Sequence, residues 1–222
     1  MTQHPRFAVI LSGCGVFDGS EIHEAVLTLL AIDRLGGRYR CYAPDRPQMH
    51  VVNHLSGQVA QGESRNVLVE SARIARGQIA DLATFDPAEA DALILPGGFG
   101  AAKNLSSFAT EGAACTVDPG VERAVRAMVA AGKPVGALCI APAVLARILG
   151  DGVELTIGDD PATAAAIEAA GARHRVAGRA EVVVDRARKL ATSPCYMLSS
   201  PIATIADGAE NTVRALIELI GS

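Results

Sequence analysis

Three short apolar runs most constrain what this 222-residue chain can fold into. They occupy residues 7–11, 92–95 and 134–138, and each leads directly into a glycine-containing turn or the start of a helix. A strand that is apolar at every position is buried on both faces, which is typical of a parallel sheet covered by helices. The runs therefore predict an α/β architecture whose strands are joined by helical crossovers.

The first predicted helix follows the first run and ends at Gly36. Its residues Ile22, Val26, Leu29 and Leu30 recur with helical spacing, so we expect this face to pack on the sheet.

The remaining elements continue the alternation. In chain order they are strands at 38–43 and 51–55, a helix at 64–76, a helix capped by Asp118 and Pro119, a helix at 141–149, a strand at 154–157, a helix opened by Asp160 and Pro161, a hairpin of 182–184 with 190–192, and a last helix burying Ile202, Ile205, Ala209, Val213, Leu216 and Ile220. We predict one domain over residues 1–222, with a doubly wound, mostly parallel sheet between helices.

Composition excludes several classes of partner. Twenty basic and 24 acidic residues give a net charge of −4, Trp is absent and aromatic residues make up 4%, so a nucleic-acid surface is not expected. The longest uncharged apolar stretch, 134–146, carries two prolines and is too short to span a bilayer. The letters of residues 11–14 resemble a lipoprotein cleavage site, but the preceding apolar run is too short for an export signal. Five cysteines without a CxxC pair predict free thiols in a reducing, cytoplasmic compartment.

Cys139 is the strongest candidate for chemistry. A predicted strand leads directly into it, a helix follows, and the small residues Ala137 and Ala141 stand two positions to either side. This spacing is typical of a nucleophile elbow, a turn too sharp for larger neighbours. A helix N-terminus next to a cysteine favours the thiolate. The alternative is a small buried packing cysteine, the more common role of a free thiol.

Two further segments meet the same predicted sheet edge. Gly97 and Gly98 follow the second run, and their backbone N–H groups could receive an oxyanion. Glu24 lies off the apolar helix face and could turn towards the strand ends, whereas Glu21 is expected only to complement the helix dipole.

Two other motifs would indicate a zinc site and a dinucleotide site. His23-Glu24 begins like an HExxH zinc motif, but residue 27 is Leu, and the remaining histidines form no ligand set, so no metal is predicted. Gly13, Gly15 and Gly19, with Asp45 after the second strand, form a loosened dinucleotide fingerprint. The carboxylates near those glycines would repel a pyrophosphate, which leaves dinucleotide binding as a minor alternative.

Taken together, these motifs resemble the ElbB group, the isoprenoid biosynthesis glyoxalases, within the PfpI-type branch of the class I glutamine-amidotransferase-like superfamily. The resemblance spans essentially the whole chain, through Leu11 to Gly15, Gly19 to Glu24, Pro96 to Leu105, Cys115 to Asp118 and Leu138 to Pro142. It implies a flavodoxin-like fold, a homodimer and a glyoxalase of the third type that needs no cofactor.

The resemblance also implies roles for individual residues. Cys139 matches the reactive cysteine, Glu24 the glutamate that contacts it, and Gly98 and Ile140 the oxyanion-hole positions. Gly97, Phe99 and Asn104 are the expected substrate-binding residues. Amidotransferases place a histidine one strand after the cysteine, and residues 155–159 contain none, so glutamine hydrolysis is not favoured.

The function predicted is conversion of glyoxal, or a similar small 2-oxoaldehyde, to a 2-hydroxy acid through a Cys139 hemithioacetal. The alternative is a thiol sensor or regulatory dimer that uses Cys139 without turnover. The other cysteines are expected to be packing residues, with Cys14 and Cys195 near the strand ends.

Overall fold

The computed structural model describes residues 4–222. The strands are β1 (Arg6–Ile10), β2 (Arg38–Ala43), β3 (Val52–Asn53), β4 (Gln58–Val59), β5 (Ile79–Asp81), β6 (Ala92–Leu95), β7 (Val135–Leu138), β8 (Glu154–Leu155), β9 (Arg173–His174), β10 (Val183–Asp185) and β11 (Leu190–Ser193). The α-helices are α1 (Ile22–Arg34), α2 (Val67–Ile74), α3 (Phe99–Lys103), α4 (Phe108–Glu111), α5 (Pro119–Ala130), α6 (Pro142–Leu149), α7 (Pro161–Ala169) and α8 (Ile202–Ile220).

The main sheet places the three apolar runs side by side. Within the described residues it has seven strands in the order β10-β11-β7-β6-β1-β2-β5. All neighbours are parallel except β10 and β11, which form the predicted hairpin. Because β1, β6 and β7 are central, both their faces are covered, which explains why they are apolar at every position. The predicted α/β class with a mostly parallel sheet is confirmed.

Helices cover both faces of this sheet. One apolar core cluster joins β6 and β7 to the inner faces of α5, α6 and α7. The other joins β1 and β6 to α1, α2 and α8, and α1 packs along α8. The connections between strands thus bring the loops after β1, β6 and β7 to one edge, the carboxyl end of the sheet.

The predicted buried face of α1 is wrong. Ile22, Val26 and Leu30 are 43%, 45% and 38% exposed, whereas Leu29 and the carboxyl-bearing Glu24 are buried. Side chains at i, i+4 and i+8 share a face whichever way that face points, so spacing alone could not show that α1 buries Glu24, Ala25, Thr28, Leu29, Ala31 and Ile32.

Smaller differences concern short elements. The strand predicted at 51–55 is β3, which pairs with β4 in a separate hairpin. The strand predicted at 154–157 is shorter and pairs with β9 outside the main sheet. The short edge strand β5 lacks a full apolar run and was not predicted. Ile202, expected in the core, is exposed at the start of α8.

Among residues 4–222, none of the helices has the length and apolar character needed to cross a bilayer.

Candidate active site

Cys139 occupies the turn between β7 and α6. Its φ of +57° lies in the left-handed region, which is uncommon for residues other than glycine. Its backbone N–H donates to the carbonyl of Ser193 at the end of β11, at 3.0 Å. Ala137 and Ala141 are fully buried on either side, as the spacing of small residues predicted. The side chain is 8% exposed, so the thiol faces the interior of a cleft.

Glu24 lies beside Cys139 beneath the surface, although the two residues are far apart in sequence. Its side chain is fully buried. One carboxyl oxygen accepts the backbone N–H of Gly97 and the other that of Tyr196, both at 3.0 Å. The Cys139 thiol lies beside it, because a Cβ placed on Gly97 would stand 2.5 Å from a Glu24 carboxyl oxygen and 3.0 Å from Cys139 Sγ. The carboxyl group is therefore fixed in position beside the sulfur.

Burial dominates the protonation of this pair. It raises the pKa of Glu24 from 4.5 to about 8, with the charge of Glu21 adding to it and the backbone N–H groups of Tyr196 and Gly97 opposing it. Burial, together with the charge of Glu24, also raises the pKa of Cys139 well above its usual value. Desolvation therefore outweighs the nearby N–H groups and favours the protonated thiol, in contrast to the thiolate that the helix N-terminus was expected to favour.

The backbone N–H groups of Gly98 and Ile140 belong to the two turns that meet at Cys139. Both lower the pKa of the Cys139 thiol against the effect of burial. They are the two positions that the resemblance assigned to an oxyanion hole. Once the sulfur has bonded to a substrate carbon, the oxygen on that carbon lies near the same N–H groups. They would then stabilise negative charge on that oxygen.

Glycine is required at both positions of the turn after β6. A Cβ on Gly97 would stand 2.4 Å from Cys139 Cβ and 2.5 Å from a Glu24 carboxyl oxygen. Gly98 has a φ of +98°, and a Cβ there would stand 2.3 Å from the backbone nitrogen of Glu21. The absence of side chains is what lets the β6 turn approach both α1 and Cys139.

A cavity of about 560 Å³ opens in front of Cys139. Most of its walls are apolar, and it is lined by Val16, Gly98, Phe99, Ala102, Lys103, Phe108, Ala109, Cys139, Ile140, Thr163, Tyr196 and Met197. A larger, more open depression of about 740 Å³ lies between α8 and the loop before β10, and neither Glu24 nor Cys139 lines it.

The predicted substrate-binding residues differ in their placement. Phe99 is 48% exposed and forms part of the cavity wall. Asn104 is buried, and its amide nitrogen donates to the carbonyls of Ser12 and Asp18 while its oxygen accepts the N–H of Met49. Its polar atoms therefore hold the loop after β1 in place, outside the cavity lining.

Two residues at the site were not predicted to take part. Tyr196 supplies a backbone N–H to Glu24 and lines the cavity, and its hydroxyl shares a 2.9 Å hydrogen bond with His23. Cys195 is buried in an apolar cluster with Cys139 and has a φ of +42°. Both follow β11, which pairs with β7 in the sheet although more than fifty residues separate the two strands in sequence.

The pairing of β11 with β7 shows that a histidine equivalent to that of the amidotransferases should be sought after β11. The strand predicted at 154–157 is the next one in the chain and would place that histidine within 155–159, but β8 belongs to a separate small sheet. The strand beside β7 is β11, so the corresponding position is occupied by Cys195 and Tyr196. His174 lies on β9, where its ring accepts the N–H of Ile157 at 3.3 Å.

The dinucleotide interpretation is not supported by the loop after β1. Gly15 and Gly19 donate their N–H groups within the loop, and the carboxylate of Glu21 caps the start of α1 by accepting the N–H of Glu24 at 2.7 Å. Protein carboxylate therefore occupies the place of a pyrophosphate. Within residues 4–222, no group of three or more His, Cys, Asp or Glu side chains is arranged to hold a metal ion.

Comparison with known sequences identifies clear relatives, although no family model matches the chain. A human mitochondrial protein named glutamine amidotransferase-like class 1 domain-containing protein 3 is 49% identical over 97% of this chain and 84% of its own length. The rat mitochondrial ES1 protein homolog is 47% identical with the same coverage.

Solved structures agree with these relatives. An isoprenoid biosynthesis protein with an amidotransferase-like domain from Ehrlichia chaffeensis superposes with a TM-score of 0.89 at 38% identity, over 96% of this chain and 99% of its own. DJ-1beta of Drosophila melanogaster superposes with a TM-score of 0.57 at 19% identity, over 99% and 92% of the two chains. At that identity the likeness concerns the fold alone.

The predicted cytoplasmic location is contradicted by these names. The human, rat and zebrafish relatives are all named as mitochondrial proteins. The prediction used free cysteines as its indicator, and free thiols indicate a reducing environment without specifying which compartment provides it.

Proposed function

The chain belongs to the glutamine amidotransferase-like class 1 family, with the isoprenoid biosynthesis (ElbB) proteins among its members, and on that premise we propose that it is a cofactor-independent glyoxalase. The reaction would convert a 2-oxoaldehyde such as glyoxal to the corresponding 2-hydroxy acid. The observation that carries the proposal is the buried pairing of the Glu24 carboxyl with the Cys139 thiol at the glycine turn after β6.

The first step would form a carbon–sulfur bond. The ionised Glu24 carboxylate takes the thiol proton, and the sulfur of Cys139 attacks one aldehyde carbon of glyoxal. The carbonyl electrons move to oxygen, where the two backbone N–H groups stabilise the negative charge. Glu24 returns its proton to that oxygen, which gives a neutral hemithioacetal and regenerates the carboxylate.

The second step would move hydrogen between the two carbons. Glu24 removes the proton from the sulfur-bearing carbon and delivers it to the second carbonyl oxygen, which gives an enediol. The hydroxyl group on the sulfur-bearing carbon then loses its proton to Glu24, which returns it to the second carbon, so that a thioester forms. Water hydrolyses the thioester to glycolate and the free thiol. One carbon is oxidised and its neighbour is reduced, so no external electron acceptor takes part.

The same geometry argues against the thiol-sensor alternative. Peroxide-sensing cysteines have a lowered pKa, whereas burial raises the pKa of Cys139. A carboxyl group with a pKa near 8 beside the sulfur is suited to proton transfer near neutral pH. Catalysis gives a role to both Glu24 and Cys139, whereas a thiol sensor requires Cys139 alone.

The test is production of glycolate from glyoxal without added cofactor. We expect turnover by the parent protein and its loss in Cys139→Ala, with Cys41→Ala as a matched control, because Cys41 is a buried thiol in the core between β1 and α1. Equal rates of glycolate production by the parent and Cys139→Ala would contradict the proposal. The homodimer implied by the resemblance stays a prediction, which light scattering of the purified protein would test.

A further inference from the structure

The cavity in front of Cys139 is much larger than glyoxal. Its volume is about 560 Å³. Glyoxal has four non-hydrogen atoms and fills on the order of 100 Å³, if about 30 Å³ per water molecule is taken as the scale. Most of the cavity would hold water if glyoxal were the natural substrate, and that water would surround the reactive intermediate.

Water is a poor occupant of this cavity because most of its walls are apolar. Phe99, Phe108, Ile140 and Met197 contribute apolar surface, and Ala102 continues it. Apolar walls are favourably covered by apolar ligand atoms. Polar side chains in the lining are few, and the ammonium group of Lys103 already donates to the carbonyl of Phe17 at 2.8 Å.

Cys139 shares the cavity lining with apolar side chains from several segments. In the proposed mechanism the aldehyde carbon binds at the sulfur of Cys139. A substituent on the second carbon would then contact apolar residues contributed by α3, α4 and the segment after β11, namely Phe99, Phe108 and Met197.

We propose that the substrate is a 2-oxoaldehyde whose ketone carbon carries an apolar substituent of roughly six to ten carbon atoms, a size that fits the remaining volume. The carbonyl chemistry rests on the proposed function, whereas the substituent rests on the cavity alone. The reaction balances as for glyoxal: the aldehyde carbon becomes the carboxylate, the ketone carbon becomes the hydroxyl-bearing carbon, and one water is consumed.

The kinetic test compares glyoxal, methylglyoxal and phenylglyoxal, with glycolate, lactate and mandelate as the products measured. Each buried methylene-sized group contributes about four-fold to kcat/KM. We therefore expect kcat/KM for phenylglyoxal to exceed that for glyoxal by at least about ten-fold. Phe108→Ala should reduce this ratio, and Val176→Ala, an exposed apolar residue outside the cavity, should leave it unchanged. A ratio at or below one in the parent protein would overturn the inference.

A second measurement does not depend on turnover. The alkylation rate of Cys139 by N-methylmaleimide and by N-phenylmaleimide is followed by peptide mass spectrometry, with the half-buried Cys14 as the internal reference. We expect the phenyl reagent to be favoured at Cys139 more strongly than at Cys14. If every 2-oxoaldehyde fails to react but this preference holds, the proposed function fails and the apolar site stands. Equal preferences at the two cysteines would overturn the apolar site itself.

Discussion

The carboxyl group of Glu24 lies against the thiol of Cys139 with no exposed surface of its own. Both of its oxygens are held by backbone N–H groups, from Gly97 on the turn after β6 and from Tyr196 after β11. Three separate segments therefore define the position of one ionisable group. That arrangement makes the protonation of Glu24 the property from which most of the expected behaviour follows.

Activity should depend on pH through this carboxyl group. In the proposed mechanism Glu24 must be ionised to take the thiol proton, and its pKa is about 8. We expect kcat/KM for glyoxal to rise as pH increases through about 8, since kcat/KM reports ionisation of the free enzyme. In Glu24→Gln the residual rate should lack this rise. A rate that falls over the same interval would contradict a general-base role for Glu24.

Stability should depend on pH in the opposite sense. The folded-state pKa of Glu24 is raised from 4.5 to about 8, so between these values the native state holds a proton that the unfolded chain has released. The free energy of unfolding should therefore fall as pH rises across this interval, by up to about 1.4 kcal/mol per pH unit from this group.

Urea denaturation between pH 5 and 8 measures this dependence. Glu24→Gln should give a flatter curve than the parent protein, because glutamine does not titrate. Glu122→Gln, which changes an exposed carboxylate paired with Arg126 on α5, should follow the parent curve. Parallel curves for Glu24→Gln and the parent would show that Glu24 does not have a raised pKa.

Local patterns predicted the fold and the turn at Cys139, whereas the pairing with Glu24 was implied by the resemblance. Three apolar runs identified the central strands, small residues around Cys139 indicated its sharp turn, and Glu24 follows from the resemblance. The buried face of α1 could not be predicted in this way, because the spacing of Ile22 and Val26 describes a shared face without its direction.

Residues that depend on strand order were also missed. Tyr196 reaches Glu24 only because β11 pairs with β7, and nothing between these strands in sequence indicates that pairing. The search for a histidine at 155–159 failed for the same reason, since β8 lies outside the main sheet. The raised pKa of Cys139 likewise follows from burial, a property of the folded chain.

Adding one methyl group at the turn after β6 should disrupt the site. In Gly97→Ala the new Cβ would overlap Cys139 and the Glu24 carboxyl group, so the pair must separate. We expect glyoxal turnover to fall by more than about 100-fold and the free energy of unfolding by about 1–3 kcal/mol. Gly178→Ala adds the same methyl group with ordinary contacts at 3.4 Å and serves as the control. Parental turnover in Gly97→Ala would refute the close packing described here.

Asn104 should act on stability through the loop after β1. Asn104→Ala removes donors from the carbonyls of Ser12 and Asp18 and an acceptor from the N–H of Met49. We expect a loss of about 2–3 kcal/mol in urea denaturation, since buried polar groups lose their partners. Asn211→Ala removes one exposed hydrogen bond to the carbonyl of Ala180 and should cost less than about 1 kcal/mol. Equal losses would argue against the clamping role of Asn104.

The most direct measurement is glycolate formation from glyoxal by the parent protein, Cys139→Ala, Glu24→Gln and Cys195→Ala. Cys195 is a buried neighbour to which the mechanism assigns no role, and its variant therefore controls for loss of a thiol near the site. The account predicts turnover by the parent and Cys195→Ala, and loss of at least about 100-fold in the other two variants. Undiminished glycolate formation in either Cys139→Ala or Glu24→Gln would contradict the central claim that these two groups together perform the reaction.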